Sequence, residues 1–270
     1  MPLARVGESE LSYERAGSGP PLLLIMGMSG TFDHWYGPFL RRLRQEFETI
    51  VYDHRGVGAS SRLTGQLTIA QMATDAAGLL EALELESAHV LGFSMGGMVA
   101  QELALAGRTG ADRVRTLTLA GTYCGGAGSA LMGEATMRKL ADGMASGARA
   151  LAVRAAWEVN VSPSFAGDEE AYAEFLKIGL RRAVSLDVIM QQMRAITEHD
   201  TSTRLPEIEL PTLVVHGAVD EMLPVENGRQ IAGLIPDARL EIFERTGHLF
   251  FWEHPERSAE LICAHASVHA

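Results

Sequence analysis

The chain is poor in several things whose absence narrows its function. Only two cysteines occur among 270 residues, Cys124 and Cys263, too few and too far apart for a disulfide framework or a thiolate metal site. Both are expected to be free thiols of a reducing compartment. No stretch approaches the roughly 20 consecutive apolar residues of a membrane span, and the opening Met1-Pro2-Leu3-Ala4-Arg5-Val6-Gly7-Glu8 lacks a signal peptide's apolar region. The expectation is a cytoplasmic protein with no membrane partner. Positive charge is scarce, 23 Lys and Arg against 34 Asp and Glu, for a formal charge of −11. Without a basic stripe, nucleic acid would be repelled and is not an expected partner, and an acidic surface also disfavours strongly anionic substrates. Neither a P-loop, nor a dinucleotide fingerprint, nor clustered metal-ligand spacing is present, so no cofactor and no metal are expected.

What is present begins with Gly92-Phe93-Ser94-Met95-Gly96-Gly97, set between the apolar run Ala88-His89-Val90-Leu91 and the helical sequence Met98-Val99-Ala100-Gln101-Glu102-Leu103-Ala104. A G-x-S-x-G segment between strand and helix is a nucleophile elbow, a sharp turn that lifts the serine hydroxyl above the sheet edge. Ser94 is therefore the candidate nucleophile. Side chains at Gly92 and Gly96 would collide across such a turn, and the helix that follows aims its free amides at the reaction centre.

A lone serine is a poor nucleophile at neutral pH, so an acid and then a base should follow in chain order. The acid candidate is Asp220, where the apolar run Thr212-Leu213-Val214-Val215-His216-Gly217 opens into a loop at a strand's C-terminal edge. Glu221 is the neighbouring alternative, and a loop aspartate that caps the helix starting near Pro224 is the bland one. The base candidate is His248, in a Gly-His loop after the alternating strand Arg239-Leu240-Glu241-Ile242-Phe243. Of the other histidines, His54, His89, His199, His265 and His269 read as solvated or packed side chains without a role. His216 reads as core, His254 as part of a helix start, and His34 as a residue at the pocket mouth. Two amides should hold an oxyanion: that of Met95, after the nucleophile, and that of Met28, in the turn closing the early strand Leu22-Leu23-Leu24-Ile25. The segment Asp53-His54-Arg55-Gly56 reads as a structural turn held by Asp53 and Arg55.

Strand and helix signals alternate from Leu11 to about Thr122, the pattern of a mostly parallel sheet covered by helices. From Cys124 to about Glu207 the periodicity is helical, without a convincing strand. The expected organisation is a core of residues 1–123 and 208–270 with a helical cap at 124–207. Along that cap lie Met132, Met137, Met144, Trp157, Phe165, Phe175, Met190 and Met193. Most of these should pack the cap, and the rest would line an apolar pocket together with Phe93, Met28 and Met95. Trp157, Met132, Phe93 and His34 are the candidate substrate contacts, and Arg149, Arg154, Arg181 and Arg182 the available cations.

In the order of these motifs, the chain resembles the α/β-hydrolase superfamily over nearly its whole length. Met26-Gly27 stands where many members carry His-Gly, so the hydrogen bonding of that loop must differ. The Ile25-Met26-Gly27 turn, together with Tyr52-Asp53-His54-Arg55, is similar to the aclacinomycin methylesterase group. The resemblance implies an α/β fold with a helical cap over the nucleophile, and a serine esterase or lactonase acting on a small-molecule ester or lactone. An enol-lactonase, a C–C bond hydrolase or lyase, and a cofactor-free perhydrolase share the same triad. A ligand receptor on the same fold is the alternative from another class. Monomer and homodimer are both compatible with the sequence.

Overall fold

In the computed structural model, which describes residues 1–106, 113–181 and 184–268, the chain forms one eight-stranded sheet in the order β1-β2-β4-β3-β5-β6-β7-β8. The strands are β1 (Leu3–Val6), β2 (Ser9–Gly17), β3 (Pro21–Ile25), β4 (Glu48–Tyr52), β5 (Ala88–Phe93), β6 (Val114–Ala120), β7 (Thr212–Gly217) and β8 (Arg239–Phe243). β1 and β2 form an antiparallel hairpin, and β2 joins β4 antiparallel. From β4 to β8 all pairings are parallel. The alternation therefore begins earlier than Leu11, because a short edge strand precedes it.

Parallel strands covered on both faces need apolar residues at successive positions, and β5 and β7 are buried at every one. The pleat sends alternate side chains to opposite faces. Leu23, Ile25, Ile50, Tyr52 and Val90 enter one core cluster with α2 (Ile69–Ala82), α3 (Met95–Ala106) and α8 (Glu226–Leu234). Leu22, Leu24, Val51, Leu91 and Phe93 enter the other, with α1 (Gly37–Leu43), α9 (Phe250–Glu253) and α10 (Pro255–Val268).

Between β6 and β7 the described residues form four α-helices, α4 (Glu134–Ala145), α5 (Arg149–Asn160), α6 (Glu169–Arg181) and α7 (Leu186–Thr197). The insertion rests on both cores. Trp157, Ala171, Phe175 and Ile178 join the aromatic cluster of α9, while Ala195 joins the opposite one. Met137, Met144, Met190 and Met193 are about half exposed, so they do not pack the insertion as their spacing suggested.

Candidate active site

The loops that follow β3, β5, β7 and β8 meet at the carboxyl edge of the sheet. At the end of β5, Ser94 has φ +55°, a left-handed conformation that an elbow forces on a non-glycine residue. Its N–H donates to Ala120 O at 2.9 Å, its carbonyl accepts from Gly97 N at 2.9 Å, and Thr122 Oγ1 donates to the same carbonyl at 2.8 Å. The glycines are sterically required. A Cβ on Gly92 would stand 2.3 Å from Gly96 O, and one on Gly96 would stand 2.0 Å from Ile25 O. The β3 loop comes equally close, since a Cβ on Gly27 would lie 2.9 Å from Ser94 Cβ and 3.4 Å from its Oγ. Gly30 N donates to Gly27 O at 3.3 Å, closing a turn around Met28 and Ser29. Met28 N–H and Met95 N–H donate to no described residue, and the amide of Met95 opens α3, where helical backbone donors lack intrahelical partners.

His248 Nδ1 lies 2.6 Å from Asp220 Oδ2, and both residues are buried. A carboxylate can only accept, so Nδ1 carries the proton and Nε2 is left as the basic nitrogen. The imidazole stacks obliquely on Phe93, the residue before Ser94, with ring centroids 4.7 Å apart. Burial alone would push the Asp220 carboxyl up. The charge of His248 and the hydrogen bonds from His216 and His248 outweigh it and hold the group below the usual carboxylate range. Oδ1 accepts from Met222 N at 2.8 Å and Leu223 N at 2.9 Å, so one oxygen shapes the loop while the other faces His248. Glu221 is exposed and accepts from Thr136 Oγ1 instead.

Of the two alternatives for the remaining histidines, solvated or packed, the described ones are packed. His54, His89, His199 and His265 are all buried; His269, like Arg182, lies outside the described residues. His54 Nε2 bonds Met26 O at 2.9 Å, which is how the loop is braced with methionine in place of histidine. His216 is fully buried, bonds Leu223 O at 2.7 Å through Nε2, and places that nitrogen 3.4 Å from Asp220 Oδ2. Asp53 accepts from Phe32 N and Ala59 N, and Arg55 Nε donates to Asp75 at 2.6 Å, so the Asp-His-Arg-Gly segment is a structural turn.

Of the substrate-contact candidates, Phe93 lies against His248. His34 Nδ1 bonds Thr31 within a short turn, its ring meets Phe175 edge-on at 5.8 Å, and burial pushes its pKa down to about 4. Trp157 is fully buried among Phe165, Tyr172, Phe175 and Trp252, with its indole N–H on Ala166 O. Met132 is half-buried ahead of α4.

Two residues escaped sequence reasoning. Glu253 Oε1 accepts from Gly247 N and Ser162 N, both at 2.8 Å, fastening the His248 loop to the insertion. Gln192 Oε1 accepts from Ser29 N at 2.9 Å. The first left no local signal. The second did, as a glutamine on the apolar stripe of α7 that contains Val188 and Ala195.

Residues 20–255 match the model of a family described as the alpha/beta hydrolase fold. A protein of Azorhizobium caulinodans named as a carbamate hydrolase is 31% identical, the alignment covering 97% of each chain. A protein of Pseudomonas putida named as a 2-hydroxy-6-oxononadienedioate/2-hydroxy-6-oxononatrienedioate hydrolase is 29% identical, covering 96% of this chain and 93% of that one. Among solved structures, a hydrolase from Pseudomonas aeruginosa superposes with a TM-score of 0.82 at 28% identity, covering 98% of both chains.

Proposed function

The chain belongs to the alpha/beta hydrolase fold family, and on that footing we propose that it is a serine hydrolase of a carboxylic ester or lactone, acting through Ser94, His248 and Asp220. The observation that carries this reading is the buried 2.6 Å contact between His248 Nδ1 and Asp220 Oδ2 beside a serine held at φ +55°. His248 Nε2 takes the Ser94 hydroxyl proton as Oγ attacks the carbonyl carbon. The carbonyl π electrons pass to oxygen, which the Met28 and Met95 amides hold as an oxyanion. Collapse expels the alkoxide, which takes the proton from His248, leaving Ser94 acylated. Water, deprotonated by the same Nε2, then releases the acid and restores the hydroxyl. Asp220 fixes the tautomer and offsets the imidazolium charge in both halves.

The charge pairing on the insertion argues for an uncharged substrate. Each described lysine or arginine on helices α4 to α7 already faces a carboxylate or, for Arg149, the carbonyl of Gly179. A dioate such as those named for the P. putida relative would call for a free cation. A neutral carbonyl compound would not, and the −11 charge favours it further. The helical insertion, residues 124–207 with α4 to α7, acts as the cap over this pocket.

The test is mass-spectrometric mapping after exposure to a fluorophosphonate, which labels serines activated by a base. A single adduct on Ser94 is expected, abolished in His248→Ala, together with loss of p-nitrophenyl ester turnover in a folded Ser94→Ala. Turnover at the wild-type rate by Ser94→Ala would end the proposal.

A further inference from the structure

Helix α7 turns Val188, Gln192 and Ala195 inward, whereas Leu186, Met190 and Met193 on its other side are about half exposed. A glutamine with 0% exposure among apolar neighbours is anomalous, because burying an amide is unfavourable unless it is hydrogen-bonded. One half of the amide is bonded: Oε1 accepts from Ser29 N at 2.9 Å across 163 residues of chain. Nε2 is buried with no partner among the described residues.

Ser29 is an unusual residue to hold. It has φ +57° and occupies the third position of the turn that Gly30 N closes on Gly27 O. A positive φ there is the requirement of a type II turn, where glycine or asparagine is the usual choice. A serine would relax toward negative φ by rotating the Met28–Ser29 peptide, and that peptide's N–H is the one Gln192 holds. The residue on the other side of the same peptide is Met28, the proposed oxyanion donor, in a loop that touches Ser94.

We infer that Gln192 is a positioning residue: a side chain of the insertion that locks the Gly27–Gly30 turn in its strained form and so keeps the Met28 amide aimed at the oxyanion. It touches the reacting atoms only through the turn. This inference rests on the proposed roles of Ser94 and Met28, and it makes the insertion part of the acyl-transfer machinery as well as the roof of the pocket.

The test uses Gln192→Leu in the full chain, with p-nitrophenyl butyrate as probe substrate and the fluorophosphonate as probe of Ser94. An oxyanion donor lost outright lowers kcat by about 10²–10³-fold, and one merely loosened should lower it by about 10- to 100-fold. KM should stay within about twofold, since the contact matters in the transition state, and the labelling rate should fall with kcat. Gln191→Leu, which removes a neighbouring bond from α7 to Leu67 N, should leave kcat unchanged. Adding Ser29→Gly to Gln192→Leu should restore most of the activity, because glycine accepts the positive φ without help. Should Gln192→Leu not fold, the same kinetics on Gln192→Met decide. An unchanged kcat, a missing rescue, or a rise in KM alone would overturn the inference, the last by placing the side chain on the substrate. A wild-type protein that neither turns over nor labels at Ser94 would remove the proposed function and this inference together. An active wild type with an unaffected Gln192→Leu would remove only the inference.

Discussion

A methyl group added at Gly27 tests the close approach on which the proposed chemistry depends. It would stand 2.9 Å from Ser94 Cβ and 3.4 Å from both Ser94 Oγ and Phe93 O. Carbon atoms in contact prefer about 3.5–4.0 Å, so the two chains must separate by about 0.6–1 Å. Ser94 cannot yield. Its backbone is pinned at φ +55° by Ala120 O, Gly97 N and Thr122 Oγ1. The turn from Gly27 to Gly30 must retreat instead, carrying the Met28 amide with it. A displacement of about 1 Å at a reacting centre lowers rates by about 10²-fold, so Gly27→Ala should lose about 30- to 100-fold in kcat with KM within about twofold. The overpacking should also lower stability by about 1–3 kcal/mol. Steady-state kinetics on p-nitrophenyl butyrate, the fluorophosphonate labelling rate and a urea midpoint measure all three. Gly233→Ala is the control: nothing lies within 4 Å of its Cβ position in α8, so kcat should be unchanged and stability should rise by about 0.5 kcal/mol. A Gly27→Ala enzyme with wild-type kcat would refute the placement of the oxyanion loop, whatever its stability.

Asp220→Asn preserves the shape of the carboxylate but can offer its amide N–H to His248, favouring the wrong tautomer, and kcat should fall by about 10³–10⁴-fold; a fall below tenfold would move the acid's role elsewhere. Acid should also weaken the fold. Burial first, and for His89 and His199 nearby positive charge as well, pushes His34, His89 and His199 down to about 4, whereas unfolded imidazoles titrate near 6.5. Between those values the unfolded chain binds more protons, so stability is complete above about pH 6.5 and falls as pH drops toward 4. At pH 5.5 each histidine should remove up to about 1.4 kcal/mol. A urea midpoint that is flat from pH 7.5 to 5.5 would contradict the buried neutral state of these rings.

The elements legible in sequence were those whose signal is local. The elbow is contiguous, because the requirement for small residues at Gly92 and Gly96 comes from backbone atoms within a few residues or on the adjacent strand β3. The strands showed as apolar runs because both faces of the sheet are covered, and the insertion showed as a long stretch of helical periodicity. The histidines were harder. His54 sits beside glycine-rich sequence and His89 inside the apolar run of β5, and their polar partners are Met26 O and Thr116 Oγ1, at 2.9 Å each. Those partners are 27 or 28 residues away and cannot be inferred from neighbours in the chain. The cap methionines misled for the opposite reason: their spacing is helical, but only tertiary packing decides which side of a helix is covered, and Met190 and Met193 fall on the open side of α7.

The Asp220 loop shows why a functional and a structural reading of one residue need not compete. A carboxylate has two oxygens and about four lone-pair sites. Here Oδ1 takes the amides of Met222 and Leu223, bonds within the loop in place of the expected helix cap, since α8 starts at Glu226 with Val225 as its N-cap and no side-chain bond there, and Oδ2 takes His248 at 2.6 Å and faces His216 at 3.4 Å. The loop bonds prevent the side chain from rotating, so the oxygen that faces His248 is held without help from the imidazole. The same division recurs at the other two loops. Glu253, at the end of α9, holds Gly247 beside His248, and Gln192 holds Ser29 beside Met28. Each chemically active group thus sits one residue or one oxygen atom away from a group fixed by a buried hydrogen bond. Loops alone would leave these groups mobile. Their anchorage is what makes a preorganised site from three turns at a sheet edge; at Asp220 and Glu253 it comes from residues within six positions, and only the Gln192 anchor, 163 residues from Ser29, is beyond the reach of local sequence pattern.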